Sequence, residues 1–267
     1  MFKSWRRRRV LARHAIPPPL WDAAVAATPA VAWLDAGARR RLRDLALLFL
    51  HEKSLEPAAG LALDDAMRVR IALLACQPIL ELGLDSYAAF ASVIVYPEAF
   101  LVRDREHVDE DGVVHRGDEV LTGEAWEQGP VILSWPDVQA SGRGEGYNVV
   151  AHEFAHKLDM LDGAANGLPP LHGGMDVAAW EGAFDAAYGD LAARLERGED
   201  PWIDPYAAED PAEFFAVMAE LFFDVPADLR AEYPGVYRQL AAFFRQDPLG
   251  QGPRGQASEP RTSPASP

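Results

Sequence analysis

The run His152-Glu153-Phe154-Ala155-His156 places two imidazoles four residues apart, with a carboxylate beside the first. On an α-helix, residues i and i+4 share a face about 6 Å apart, so both rings can reach one metal ion at roughly 2.0 to 2.1 Å from nitrogen. Glu153 stays free as a base, and the chemistry such a trio performs is hydrolysis by an activated water. Without a metal, the same residues would be a surface helix that happens to carry two histidines. The flanking sequence favours a helix built to hold them. Asn148 is a natural N-cap for a helix beginning at Val149, after the glycine-broken stretch Ser141-Gly142-Arg143-Gly144-Glu145-Gly146. Val150, Phe154, Leu158 and Leu161 recur at helical spacing as an expected buried stripe, leaving His152 and His156 together on another face.

A catalytic zinc ion generally has three protein ligands and an open position for water, so a third ligand must come from elsewhere. Asp162 lies six residues beyond His156, but the turn that would return it to the metal needs a glycine where this chain has Asp159. Asp162-Gly163 reads instead as a helix end, with Gly163 as a left-handed cap. His172 falls in the loop from Asn166 to Gly174, whose composition argues against a preorganised ligand. The stronger candidate is Glu213, near the start of the apolar run Asp210 to Phe223. Asp210 is a good N-cap and Pro211 a good first helical residue, so Glu213 sits where a glutamate also serves as half of a capping box. On the residues alone both roles stay open. Phe214, Met218, Leu221 and Phe222 are expected to bury one side of this helix, while Glu213 and Glu220 share a face across two turns. That pairing suits a metal ligand with a supporting carboxylate. A glutamate from a separate helix gives the gluzincin plan of two histidines and one glutamate.

At these residues the chain resembles the Mlc titration factor A family of bacterial zinc peptidases. The likeness is carried by Gly123-Glu124-Ala125-Trp126 with Gly129-Pro130-Val131-Ile132-Leu133-Ser134-Trp135, then by Asn148 through Asp159, and finally by Asp204-Pro205-Tyr206-Ala207 with Pro211-Ala212-Glu213-Phe214-Phe215-Ala216-Val217. These blocks order the chain from about residue 15 to 245 and leave the N-terminal arm and the tail uncovered. The resemblance implies one zinc ion per chain on His152, His156 and Glu213, with Glu153 as the catalytic glutamate. It also implies peptide hydrolysis of aminopeptidase type, and a link to glucose uptake through a transcriptional repressor of the Mlc type. Tyr206 matches a tyrosine that the family places near the metal. Its hydroxyl is suited to stabilise an oxyanion; read on its own, it is equally a packing tyrosine.

Composition narrows the setting. With 267 residues, 49% of them hydrophobic, the chain can bury a substantial core, and one domain over residues 15–247 is the economical reading. The single cysteine, Cys76, in an apolar stretch, excludes an internal disulfide framework and fits a packed thiol in a reducing cytoplasm. A net charge of −16 opposes a primary role in nucleic-acid binding. Arg6 to Arg9 stand out in a basic arm over residues 1–14, without the apolar run of a signal peptide, and read as a solvated arm. No stretch is long and apolar enough for membrane insertion. After Asp247, Gly, Pro, Ser and Gln dominate, so residues 248–267 are expected to form a disordered tail.

Residues 20–92 read as helices, one carrying Leu42, Leu45, Leu48 and Phe49 and another Met67, Ile71, Leu74 and Ala75. Ser92 to Tyr96, Ala99 to Arg103 and Val131 to Trp135 read as strands. Together these give an α+β fold: a single zincin-like metallopeptidase domain with N-terminal helices, a small mixed sheet and the helix of the two histidines. Val131 to Trp135 is a candidate edge strand for pairing with a substrate backbone, or equally an ordinary central strand. Two functions from different classes follow: hydrolysis of a peptide or protein substrate, or regulatory sequestration of a repressor that requires no catalysis.

Overall fold

The structure, a computed structural model, describes residues 2–98, 105–108, 114–117, 129–163 and 165–250. The expected strand Ala99 to Arg103, the segment Gly123 to Trp126 and the expected tail from residue 251 onward lie outside the described residues.

The N-terminal half is a helical layer. Helix α1 (Phe2–Arg13) holds the basic run and is fixed to α3 (Ala36–Glu52) by Arg7, whose guanidinium donates to Glu52 through Nε at 2.8 Å and Nη2 at 3.0 Å. This two-pronged geometry resists rotation in a way a lysine would not. Helix α4 (Asp65–Cys76) packs beside α3, and helix α2 (Pro18–Ala26) packs on α4. Asp35 and Asp64 cap α3 and α4 by accepting the N–H groups of Ala38 and Met67. Cys76 is buried at the end of α4, and burial pushes its thiol well up, so it stays a protonated packing group.

Between these helices runs a parallel sheet, ordered β1 (Ser54–Pro57), β2 (Ser92–Tyr96), β5 (Val131–Ser134). Register pairs Leu55 with Val93 and Val93 with Val131, so the pleat puts Leu55, Val93, Val95, Val131 and Leu133 into the core. Strand β1 interrupts the region expected to be wholly helical. Only Leu55 of its four residues is buried, which leaves no alternation to read. Strand β5 ends at Ser134 rather than Trp135, because Ser134 caps a short helix α5 (Trp135–Ala140). A separate antiparallel pair, β3 (Arg105–Val108) and β4 (Val114–Gly117), was not expected, although Asp111-Gly112 between them is a recognised hairpin signal.

The C-terminal half surrounds two central helices, α6 (Val149–Asp159) and α8 (Pro211–Asp224), which pack against each other. Helix α7 (Val177–Glu196) and the pair α9 (Pro226–Glu232) and α10 (Pro234–Phe244) pack around α8. Every residue of α8 from Ala212 to Asp224 is buried, so it has no exposed side, contrary to the one-sided stripe expected from its sequence. Aromatic rings from both neighbours account for this. Trp180, Phe184 and Tyr188 of α7 meet Phe214 and Phe215, and Tyr237, Phe243 and Phe244 of α10 meet Phe215, Phe222 and Phe223. Among the described residues no helix is long and apolar enough to cross a membrane.

Candidate metal centre

Helix α6 is anchored from one side and carries the two histidines on the other. Asn148 caps it by accepting the Ala151 N–H at 3.1 Å. Phe154 lies among Phe49, Tyr87 and Phe90, with ring centroids at 5.9, 5.0 and 5.7 Å. At 100° per residue, His152 and His156 point away from that cage, towards α8. The buried stripe is shorter than expected. It ends at Leu158, since Leu161 is 40% exposed in the turn Met160–Asp162 that follows the helix. Gly163 closes that turn with φ of 128°.

Helix α8 brings Glu213 to meet the imidazoles. Asp210 accepts the N–H groups of both Ala212 and Glu213, at 2.7 and 2.9 Å, so the N-terminal cap is supplied by its own residue. The Glu213 side chain turns to the imidazoles. Its Oε2 stands 3.1 Å from His152 Nε2 and 3.4 Å from His156 Nε2, and the two nitrogens are 3.2 Å apart. Ligands about 2.0 to 2.1 Å from a tetrahedral zinc ion stand about 3.3 to 3.4 Å from one another. The three edges therefore match one face of such a tetrahedron. Glu213 is 3% exposed, and its Oε2 is buried without a well-directed hydrogen bond. Three ligand atoms converging on one point fit a cation, and two imidazoles with a carboxylate are the donor set zinc takes. Among the described residues this is the one group of three or more His, Cys, Asp or Glu ligand atoms that converge. Asp162 is exposed and outside it, and His172 is held elsewhere, with Nε2 at 2.7 Å from the Phe243 carbonyl.

The surrounding charges are coherent with this geometry. Burial disfavours a charged His152, but the facing carboxylates of Glu213 and Glu220 outweigh it and push its pKa up to about 10. Burial likewise works against a charged Glu213, yet the two histidines hold it well below the usual carboxylate range. A bound cation would take the place of the proton on the same lone pairs. Glu220 lies behind His152, its Oε2 3.5 Å from Nδ1. Tyr206, in the turn Pro205–Ala208, is half-buried with its ring centroid 6.2 Å from that of His152. Burial, then the adjacent Glu213 carboxylate, raises its phenol far above the ordinary value, so it remains a proton donor.

Glu153 and Tyr206 both line a cleft of about 660 Å³ that opens onto His152. Its walls come from residues 145–149, residues 201–206 and α8, with Tyr147 and Trp202 exposed at its margin. Strand β5 is an end strand of the described sheet rather than a central one, and its residues lie outside the lining of this cleft. Sequence reasoning missed the supports around the site. Asp159 accepts the N–H groups of Asn166 and Gly167, and Asp224 accepts those of Gly144, Gly146 and Tyr147. The Asp224 contacts span 77 to 80 residues, a separation that leaves no local signal.

The profile of the glucose-regulated metallo-peptidase family M90 matches residues 2–245, including the basic N-terminal helix. The chain is 43% identical over 240 residues to Mlc titration factor A of Serratia proteamaculans, covering 89% of this chain and 90% of the relative. It is 44% identical over 234 residues to the protein of that name in Salmonella arizonae, covering 86% and 91%, and 42% identical over 234 residues to that of Enterobacter sp., covering 86% of each. A converging metal-ligand triad and similarity along nearly the whole length agree, and the chain belongs to the glucose-regulated metallo-peptidase M90 family.

Proposed function

We propose that this member of the family is a zinc-dependent peptidase, acting in the cytoplasm and of aminopeptidase type, with His152, His156 and Glu213 holding one zinc ion. The observation that carries the reading is the triangle of 3.1, 3.2 and 3.4 Å among ligand atoms of His152, His156 and Glu213, with His152 lining a cleft beside Glu153 and Tyr206. Zinc, when bound, supplies Lewis acidity that polarises a peptide carbonyl and lowers the pKa of water towards 7. Glu153 takes the proton of the attacking water on a carboxylate oxygen. The same carboxyl then delivers it to the departing amine nitrogen, since one group alternates between base and acid through the cycle. Tyr206, held protonated, donates its hydroxyl hydrogen to the oxyanion. The test is Glu153→Gln, which preserves shape but cannot accept the proton. Stoichiometric zinc with near-complete loss of peptide cleavage is expected; cleavage near wild type would falsify the role of Glu153.

The relatives' name supports a second reading, in which an Mlc-type glucose repressor binds this chain. Recognition of a protein needs about 800 Å² per partner, far more than the space around one carboxylate. Titration of a purified repressor should therefore give equal affinities for wild type and Glu153→Gln. No binding to either removes the repressor from this account, and cleavage by wild type alone makes it a substrate.

A further inference from the structure

Glu220 is 8% exposed, on the central helix α8, and its two oxygens face different parts of α6. Oε1 accepts the backbone N–H of Asn148, the residue that caps α6. Oε2 faces His152 Nδ1 at 3.5 Å. A neutral imidazole carries one proton, and the hydrogen bond made by one ring nitrogen decides which nitrogen keeps a lone pair. We propose that Glu220 is a positioning residue that keeps the His152 proton on Nδ1, so that Nε2 presents its lone pair towards His156 and Glu213. This inference rests on the zinc reading of the triad. It adds what holds the first ligand in the correct tautomer and orientation, and it ties that ligand to the helix start through one carboxylate.

The backbone makes the inference sharply testable. Asn148 N–H can only donate, so in Glu220→Gln the amide oxygen must remain on it and the amide NH2 must turn to His152 Nδ1. An NH2 there can only donate, which forces Nδ1 to accept and moves the ring proton to Nε2, the atom that faces the metal. A role confined to supporting the helix start would survive this change, because that hydrogen bond is kept. Asn148→Ala is the converse variant: it removes the cap on Ala151 N–H and loosens the same helix start without touching Nδ1.

Zinc affinity is measured by competition with a chromophoric chelator for the full-length wild type and both variants, with circular dichroism to check folding. Glu220→Gln should bind zinc about 10 to 100-fold more weakly, the range for loss of a partner behind a ligating histidine. Asn148→Ala should stay within about threefold of wild type, since it leaves the tautomer alone. Unchanged affinity in Glu220→Gln, or equal weakening in both variants, overturns the positioning role while leaving the metal site intact. Wild type without stoichiometric zinc overturns the metal reading and this inference together. Should Glu220→Gln fold poorly, the zinc affinity of Glu220→Asp, which keeps a carboxylate but shortens its reach to Nδ1, decides: weakening beyond that of Asn148→Ala is expected, and unchanged affinity refutes the role.

Discussion

Position 213 shows how one carboxylate is released for chemistry. A glutamate at the third residue of a helix ordinarily turns back to the backbone N–H of the N-cap residue, whose own side chain takes the N–H groups ahead of it, as Asp210 does here. The Glu213 side chain reaches the two imidazoles instead, from a site with almost no solvent to stabilise a lone negative charge. Glu213→Ala should consequently lose zinc on dialysis, as measured by elemental analysis, whereas Asp162→Ala should keep it. The reverse result would dismiss the two-histidine, one-glutamate site. Tyr206 stands differently, beside the triad rather than in it. If its hydroxyl donates to the oxyanion, Tyr206→Phe lowers kcat by about 10² to 10³-fold with little change in KM, because the interaction strengthens only in the transition state. Steady-state kinetics with an unchanged kcat would return Tyr206 to a packing role.

Between α6 and α8 the elements are clamped by a loop that the sequence presents merely as flexible. Asp159, at the end of α6, binds the N–H groups of Asn166 and Gly167, and Gly167 passes against the start of α8. A Cβ on Gly167 would lie 2.4 Å from the Pro211 carbonyl, at a φ of +78° that other residues resist. Gly167→Ala should cost about 2 to 4 kcal/mol and lower Tm by about 4 to 16 °C; a shift under about 2 °C by calorimetry would show that the loop yields freely. Asp159 adds a pH signature. Burial pushes its pKa up to about 6, against the two N–H bonds that favour its charge. Unfolding returns it to about 3.9, so between those values the folded chain retains a proton that the unfolded chain has lost. Its stabilising contribution is present below about pH 4 and disappears as pH rises to 6, by up to about 3 kcal/mol. Asp159→Asn, compared with wild type by denaturant titration in chelator, should remove that slope; parallel pH profiles would refute it. The helices that carry ligands were legible because capping, spacing and composition are local: Asn148, Asp210 and the two histidines announce themselves. Strand β1, the all-round burial of α8 and the Asp224 contacts were not, since each is decided by partners distant in sequence.

On the scale of the whole molecule, a metal on the proposed triad would also be a cross-link. His152 and His156 belong to one central helix and Glu213 to another, and the enclosing α7 and α10 pack their rings on α8. Anything that binds only the folded arrangement of α6 and α8 stabilises the entire C-terminal half, because neither helix can leave without breaking the site. The electrostatics act in the same direction. Glu213 and Glu220 bring two buried carboxylates against one buried histidine, an arrangement that depends on a cation, proton or metal, to offset desolvation. The stabilisation follows mass action: with free zinc at about 1,000 times Kd it is about 4 kcal/mol. For a domain of this size about 1 kcal/mol moves Tm by about 2 to 4 °C, so stripping zinc with a chelator should lower wild-type Tm by about 8 to 16 °C. Glu153→Gln should show the same drop, since it leaves the ligands untouched. Glu213→Ala should melt within about 2 °C with and without chelator. Differential scanning calorimetry of the three proteins distinguishes the outcomes, and a chelator shift of equal size in Glu213→Ala would place the stabilising metal somewhere other than between α6 and α8.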